Sequence, residues 1–490
     1  MRQMSTSGQF LDLIDKLGQA RVLCVGDVML DRFVYGDVSR ISPEAPVPVC
    51  RVVDENAMIG GAGNVARNLA ALGAFVDFIS VVGADKAAGE IGNLIGDNER
   101  INAEFIEDTG RQTTIKERFV AGPQQLLRVD REETADIGAE ISASLVKYVT
   151  AALPDAGALI LSDYGKGVLS AGCIIELIGA AKDANCPVIV DPKGDDYRRY
   201  SGATLITPNR RELCEASRKE IFDDDSAAAA AKFIANEYGI ENVLVTRSAD
   251  GMTLVSRSDV DHLPAEAREV FDVSGAGDTV VATLAAVLAA GGELLDAARL
   301  ANVAAGIVVG KTGTAIVGAT EIVESLQRQD LVNSSVLKVM SLEAAQTQIS
   351  LWRERGDRIG FTNGCFDLIH PGHVAILTKS RAACDRLVVG LNTDASVRRL
   401  KGETRPVQNE AARASVMASL ACVDLVVLFS EDTPVELIET LRPDVLAKGA
   451  DYTVDKVVGA EFVQSYGGEI LLVDLEEGHS TTGTIERMGE

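Results

Sequence analysis

Basic residues are in short supply in this chain, with 47 Lys+Arg against 72 Asp+Glu and a net charge of −25. A surplus of that sign repels phosphate backbones and anionic bilayers, so nucleic acid and membrane surfaces are not expected partners. Long apolar runs are also missing. No stretch approaches the ~20 apolar residues of a membrane span, and the opening MRQMSTSGQFLDLIDKLGQA interrupts its apolar residues with charges and has no signal-peptide h-region. A cytoplasmic protein is expected. The eight cysteines include no C-x-x-C pair, which removes the common zinc and dithiol patterns and leaves reduced thiols with no structural metal. Aromatic residues make up 4% of the chain and histidines number four, three of which (His370, His373 and His479) fall in the last quarter. That asymmetry points to separate chemistry there.

What the chain does have is length and a rhythm. At 490 residues it exceeds the ~250 to 300 at which single cores stop growing, so at least two domains are expected. Apolar runs such as RVLCVGDVML, DFISVVG, ALILSDY, CPVIVDP and NVLVTRS alternate with Ala/Leu-rich helical stretches such as NVARNLAALG. Such alternation predicts a mainly parallel sheet covered by helices, an α/β fold. SRISPEAPVPVCRVV and KERFVAGPQQLLRVD are extended and lie outside the rhythm, which predicts a small β lid. The rhythm stops near residues 320 to 345 and restarts at RIGFTNG in miniature. The predicted division is residues 1–330 as the first domain, 331–345 as a polar linker and 346–490 as a smaller Rossmann-like domain.

In the first domain Asp272-Val273-Ser274-Gly275-Ala276-Gly277-Asp278-Thr279 runs directly into VVATLAAVLAAGG. Small residues allow close backbone approach, and the free N–H groups of a helix start bind anionic oxygens, so this is a phosphate cradle with a carboxylate in it. Phosphoryl transfer to an alcohol needs a base near the hydroxyl, and Asp278 suits that role; an ordinary helix cap is the plainer alternative. The octapeptide resembles the carboxy-terminal signature of the ribokinase-like carbohydrate kinases, and the resemblance spans residues 20 to 320. It implies ATP contacts from Gly275, Ala276 and Gly277, from Asn209, Arg210, Arg211 and Glu212, and from Thr246 and Gly251. It also implies sugar contacts from Asp31, Gly61 and Asn64, and Mg²⁺ organised by Asn209 and Glu212. Lys166 and Lys193, each just past an apolar strand and before a glycine, match motifs of heptose 7-phosphate kinases and imply contacts to a phosphorylated sugar. Two decoys lie in the same domain. Gly61 to Ala66 satisfies G-x-G-x-x-A, which would make the domain an NAD-dependent oxidoreductase, and Gly306 to Thr312 falls one residue short of a P-loop inside a helical pattern.

In the second domain Thr362-Asn363-Gly364-Cys365-Phe366-Asp367-Leu368-Ile369-His370-Pro371-Gly372-His373 follows a strand and precedes a helix. A Pro-Gly turn lets both imidazoles face one pocket at a helix start, where the dipole favours anions, whereas two histidines without a third ligand are weak evidence for zinc. The segment resembles the H-x-G-H nucleotidyltransferases, the family of glycerol-3-phosphate cytidylyltransferase, over residues 350 to 490. That resemblance implies His370 and His373 as catalytic groups and nucleotide contacts from Thr362, Gly364, Phe366, Lys401, Arg405, Lys448, Ser480 and Thr481. Asp394 and Arg487 fall in similar segments.

Together the two resemblances imply a bifunctional enzyme of the kind that makes ADP-heptose for lipopolysaccharide core. One half would phosphorylate C1 of a heptose 7-phosphate, and the other would adenylylate heptose 1-phosphate. ATP as co-substrate, Mg²⁺, sugar-phosphate substrates and a homo-oligomer, a dimer, are expected with it. A non-catalytic nucleotide sensor on the same scaffold is the alternative of a different class.

Overall fold

The computed structural model describes residues 7–473 except 97, 123, 258, 267–269, 312 and 450–452. It divides into two compact units, Met1–Leu326 and Gln327–Glu490.

The first unit is built on a nine-stranded sheet. Its spatial order is Val260–Leu263, Met252–Val255, Asn242–Thr246, Leu205–Ile206, Val188–Asp191, Ala158–Ser162, Arg21–Gly26, Phe75–Gly83 and Ile101–Asp108. Neighbours pair in parallel except at the edge, where Met252–Val255 and Val260–Leu263 turn antiparallel. The central strands are covered on both faces, which is why they read as nearly unbroken apolar runs. Alternate side chains enter opposite cores: Val22 and Cys24 pack in one cluster, Leu23 and Val25 in the other. Chain order reverses on either side of Arg21–Gly26, and ligands of open α/β sheets bind beyond the carboxyl ends of the strands at such a point.

The run RVLCVGDVML, continuous in sequence, is broken by the structure. Arg21–Gly26 belongs to the main sheet, whereas Val28–Ile41 belongs to a separate four-stranded sheet ordered Pro48–Gly61, Val28–Ile41, Thr114–Ala121 and Gln124–Arg131. This second sheet is the lid, and it contains most of both segments read as extended. Asp27 is the residue between the two sheets. Its N–H donates to the Ser162 carbonyl, and its own carbonyl accepts from Ala62.

The second unit has six parallel strands, in the order Val339–Met340, Leu425–Phe429, Arg386–Asn392, Ile359–Gly364, Val445–Gly449 and Glu469–Val473. Its order reverses beside Ile359–Gly364, the strand that leads into the paired histidines. The linker expected at 331–345 is structured instead. A helix continues to Leu337, Val339–Met340 pairs with Leu425–Phe429, and the helix Leu342–Glu354 starts at a Ser341 cap. Polar composition alone does not separate a helix from a loop. Among the described residues no helix is long and apolar enough to cross a membrane.

The junction between the strands Arg21–Gly26 and Ala158–Ser162 leaves no space at Gly26, where a Cβ would stand 2.1 Å from the Ser162 carbonyl oxygen. Gly26→Ala is expected to cost about 1–3 kcal/mol, the usual range for overpacking, and to lower the denaturation midpoint of the first unit. An unchanged midpoint in urea would show that the two strands can part there without penalty.

Candidate functional site

The helix Ala276–Ala289 begins at Gly275, whose φ of 80° places it in the left-handed region that favours glycine. Asp278 sits in the first turn, 6% exposed, beside amides that have no partner within the helix. Both of its carboxylate oxygens accept hydrogen bonds: Asn64 Nδ2 donates at 2.7 Å and the Tyr164 hydroxyl at 2.6 Å. Burial pushes the Asp278 carboxyl up to about 6; the Asn64 and Tyr164 hydrogen bonds oppose that rise, and the Asp31 carboxylate adds to it. A carboxylate with a pKa near 6 is ionised at neutral pH yet basic enough to take a proton, the compromise that general-base catalysis needs.

Around Asp278 the structure gathers residues from the carboxyl ends of several strands into one cavity. Asp191, Lys193, Asn209, Glu212 and Thr246 line it together with Tyr164, Gly275 and Gly277. Asn209 and Glu212 form a capping box on the helix Arg210–Ser217, each side chain bonding the other's backbone N–H, and Glu212 also pairs with Lys193 at 3.1 Å. Lys193 therefore lies on the Asn209/Glu212 side of the cavity. Burial, with the nearby charges of Asp278 and Glu212, raises the Asp191 carboxyl well above its usual range.

Other expected contacts sit differently. Asn64 has no exposed surface, so it reaches Asp278 from behind. Asp31 is buried on the lid strand and paired with Arg118, and the absence of a side chain at Gly60 makes room for it: a Cβ there would lie 2.0 Å from Asp31 Oδ2. Gly61 precedes the helix Ala62–Ala71 and Gly251 ends the turn after Arg247. Lys166 pairs with Glu132 at 2.8 Å beside the lid. Arg210 pairs with Asp250, while Arg211 is 86% exposed and reaches Glu215 along its own helix, so the structure does not bring Arg211 into the cavity.

Both decoys fail on geometry. The strand before Gly61 to Ala66 is an antiparallel lid strand, not the parallel βα start of a dinucleotide fold. Lys311 is tied to the Ile316 carbonyl and to Glu321.

Reading the sequence for motifs missed the carboxylates that hold the site. Asp27, 1% exposed, accepts the backbone N–H groups of Tyr164, Lys166 and Val168 at 2.8, 3.1 and 3.1 Å. Asp163 accepts from Gly165 N–H and the Tyr200 hydroxyl and pairs with Arg199 at 3.1 Å. An acid in the middle of an apolar run, as in CVGDVML, was the available signal for Asp27.

In the second unit His370 is the N-cap of the helix Pro371–Ala382, and His373 follows in its first turn. Their rings stack with centroids 3.8 Å apart, and Phe366 meets His373 edge-on at 5.1 Å. Burial first, then the charges of His370 and Lys401, push His373 down to about 4. It is therefore neutral near pH 7, when an imidazole offers one N–H and no net charge. Thr362 is buried on the preceding strand, next to Asn363 and Gly364. Lys448, at the end of the neighbouring strand, donates to the Asn363 carbonyl at 3.2 Å.

Arg405 is engaged by buried Asp367, which also accepts the N–H groups of Val407 and Gln408. Lys401 is exposed. Arg413, which no motif marks, is fully buried and bonds Asp394, the Cys365 carbonyl and the Gln408 carbonyl, joining this loop to the histidine segment. Ser480, Thr481 and Arg487 lie outside the described residues.

Comparison with known proteins adds the following. Residues 19–321 match the pfkB family carbohydrate kinases, and residues 361–479 match the cytidylyltransferase-like proteins. "Bifunctional protein HldE" of Paramagnetospirillum magneticum is 58% identical over 487 residues, 99% of each chain. The protein of the same name from Rhodospirillum rubrum is 56% identical, over 99% of this chain and 98% of that one. Among solved structures, Escherichia coli phosphofructokinase-2 in complex with potassium has a TM-score of 0.54 at 20% identity, covering 63% of this chain and 98% of that one. Arabidopsis thaliana ribokinase complexed with ribose and ATP has a TM-score of 0.51 at 19% identity over the same shares. At those identities the likeness is one of fold.

Two outcomes test the site geometry. Asp278→Asn keeps the shape and loses the base, so sugar phosphorylation should fall by about 10² to 10⁴-fold with ATP binding retained, and the wild-type rate should drop as pH falls through about 6. Kinase turnover of that variant within a few-fold of wild type would remove Asp278 from the role. His370→Ala and His373→Ala should each lower kcat for nucleotidyl transfer by about 10² to 10³-fold, with a smaller change in the KM for ATP. A change confined to KM would make the pair ground-state binders.

Proposed function

Because the chain belongs to the pfkB family of carbohydrate kinases and, along nearly its whole length, to the bifunctional HldE-type kinase/nucleotidyltransferases, we propose that it carries out two non-consecutive steps in making ADP-heptose. In the first, ATP phosphorylates C1 of D-glycero-β-D-manno-heptose 7-phosphate. In the second, ATP adenylylates heptose 1-phosphate and pyrophosphate leaves. A phosphatase acting on the 7-phosphate must intervene. The observation that carries this reading is that one chain holds both a buried base at a helix start and a stacked histidine pair at another.

In the kinase half, taken as residues 1–330, Asp278 accepts the proton of the C1 hydroxyl as that oxygen bonds the γ-phosphorus and the bond to the ADP oxygen breaks. The first-turn amides beside Asp278 hold the equatorial oxygens, where charge is spread in the transition state. The cavity supports the presence of Mg²⁺: Asp191, Glu212 and Asp278 converge on it with Lys193 as the one cation among its lining residues. A nucleotide triphosphate entering so acidic a pocket needs a counter-charge. Glu212 and Asn209, with Asp191 near, are the residues that would hold the ion. Mg²⁺ is commonly bound through one or two carboxylates plus substrate phosphates, and when bound it supplies charge neutralisation on the transferred phosphoryl group.

In the transferase half, taken as residues 346–490, a phosphate oxygen of heptose 1-phosphate attacks the α-phosphorus in line. His370 and the neutral His373 donate hydrogen bonds to oxygens on which charge redistributes, and Lys448, Lys401 at the end of the helix Asp394–Lys401 and Arg405 in the loop that follows bring positive charge to the same end of the sheet. The exposed apolar residues Ile41, Val52, Val53 and Leu127 on the lid sheet support a dimer. The charge balance and the sugar-phosphate substrates support a cytoplasmic location.

Purified protein with ATP, Mg²⁺ and heptose 7-phosphate should yield the 1,7-bisphosphate and ADP, and with heptose 1-phosphate it should yield ADP-heptose and pyrophosphate, both resolved by mass. Turnover with another sugar phosphate alone, or with CTP alone in the second reaction, would reassign the substrate while leaving the reaction types in place.

A further inference from the structure

We propose that Tyr164 is a positioning residue of the kinase reaction, its hydroxyl holding the Asp278 carboxylate aimed and ionised for the acceptor alcohol. The proposal rests on the kinase reading of the first unit. Asp278 has two anchors of unlike kind. Asn64 donates to Oδ2 from a side chain with no exposed surface, so it forms the back wall of the site. Tyr164 donates to Oδ1 at 2.6 Å from a half-buried position that lines the cavity itself. That distance lies in the short range of hydrogen bonds from a hydroxyl to a carboxylate. A carboxylate oxygen has about two acceptor positions, so Oδ1 can hold the tyrosine proton and still receive one from a substrate hydroxyl on the cavity side.

The tyrosine is itself placed by backbone. Its N–H donates to Asp27 Oδ2 at 2.8 Å, and the same carboxylate takes the N–H groups of Lys166 and Val168, so the loop cannot shift without breaking three bonds to one buried group. The phenol is held protonated, since burial and the Asp278 charge both raise it well above its usual range. Toward Asp278 it therefore acts as a donor. The titratable groups around Asp278 are Tyr164, Asp31 on the lid strand, Cys24 on the strand Arg21–Gly26, and the cavity-lining Asp163, Asp191 and Glu212, with Lys193 as a further lining cation. Within that set Asp31 is paired with Arg118, and its charge still adds to the rise of Asp278. Removing the Tyr164 donor leaves Asn64 as the one remaining hydrogen-bond donor to Asp278 among the described residues, and burial then favours the protonated acid more strongly.

The test is Tyr164→Phe in the full chain, which keeps the ring and removes the hydroxyl. The acid limb of the kinase rate, near pH 6 in wild type, should move up by on the order of one unit. The kcat at pH 7 should fall about ten-fold, with KM for ATP and for the sugar phosphate within about two-fold. ATP affinity and the thermal transition check that the first unit is folded. Should the phenylalanine variant lose ATP binding, 3-fluorotyrosine placed at position 164 decides the matter, because a more acidic phenol is a stronger donor and should move the same limb downward. An acid limb and kcat unchanged in the folded variant would overturn the proposal while Asp278→Asn remained inactive. Activity retained in Asp278→Asn would instead overturn the kinase reading on which it rests.

Discussion

The carboxylate of Asp27 accepts three backbone hydrogen bonds at the point where the first unit's chain order reverses, and the geometry of the kinase site follows from that capture. Hydrogen bonds to a charged group are worth about 1.5–3 kcal/mol each, enough to fix the loop between the strand Ala158–Ser162 and the helix Ala171–Asp183. The loop so fixed carries Tyr164 to Asp278 and Lys166 to Glu132. Its other end is held by Asp163 through Tyr200 and Arg199. Asp27 and Asp163 thus decide where Tyr164, Lys166 and Arg199 stand around the Asp278 carboxylate. The same residue, Asp27, separates the strand of the main sheet from the strand of the lid, so the lid and the loop that carries Tyr164 share one anchor.

The second unit solves the equivalent problem with the opposite charge. Arg413, with no exposed surface, takes carbonyl oxygens of Cys365 and Gln408 and the Asp394 carboxylate, while Asp367 takes the amides of Val407 and Gln408 and the Arg405 guanidinium. A buried cation and a buried anion each hold a loop by its backbone, and each is paired with opposite charge and hydrogen-bonded, the condition under which burying charge is tolerated. The two sites also differ in titration. Burial raises the Asp278 carboxyl toward neutrality, as a base would require, and it lowers His373 well below neutrality, which leaves that imidazole uncharged with one N–H donor. Desolvation disfavours the charged form in both, so one physical effect moves an acid up and an imidazole down.

The sequence by itself determined the alternation of strands and helices, the lid, the presence of two α/β units, and the two helix starts that bear Asp278 and the histidine pair. These are properties of local pattern: periodicity, small residues before a helix, and rare residues at fixed spacing. Tertiary structure decided what depends on distant partners. That Asn64 stands behind Asp278, 214 positions away, and that Arg211 turns to solvent while Glu212 faces the cavity are consequences of packing. So is the splitting of RVLCVGDVML between two sheets, because an apolar run carries no mark of which sheet it joins. Asp27 and Arg413 were illegible as anchors for the same reason: a buried charge is tolerated only where other segments bring it donors or acceptors, and those segments meet it only in the folded chain.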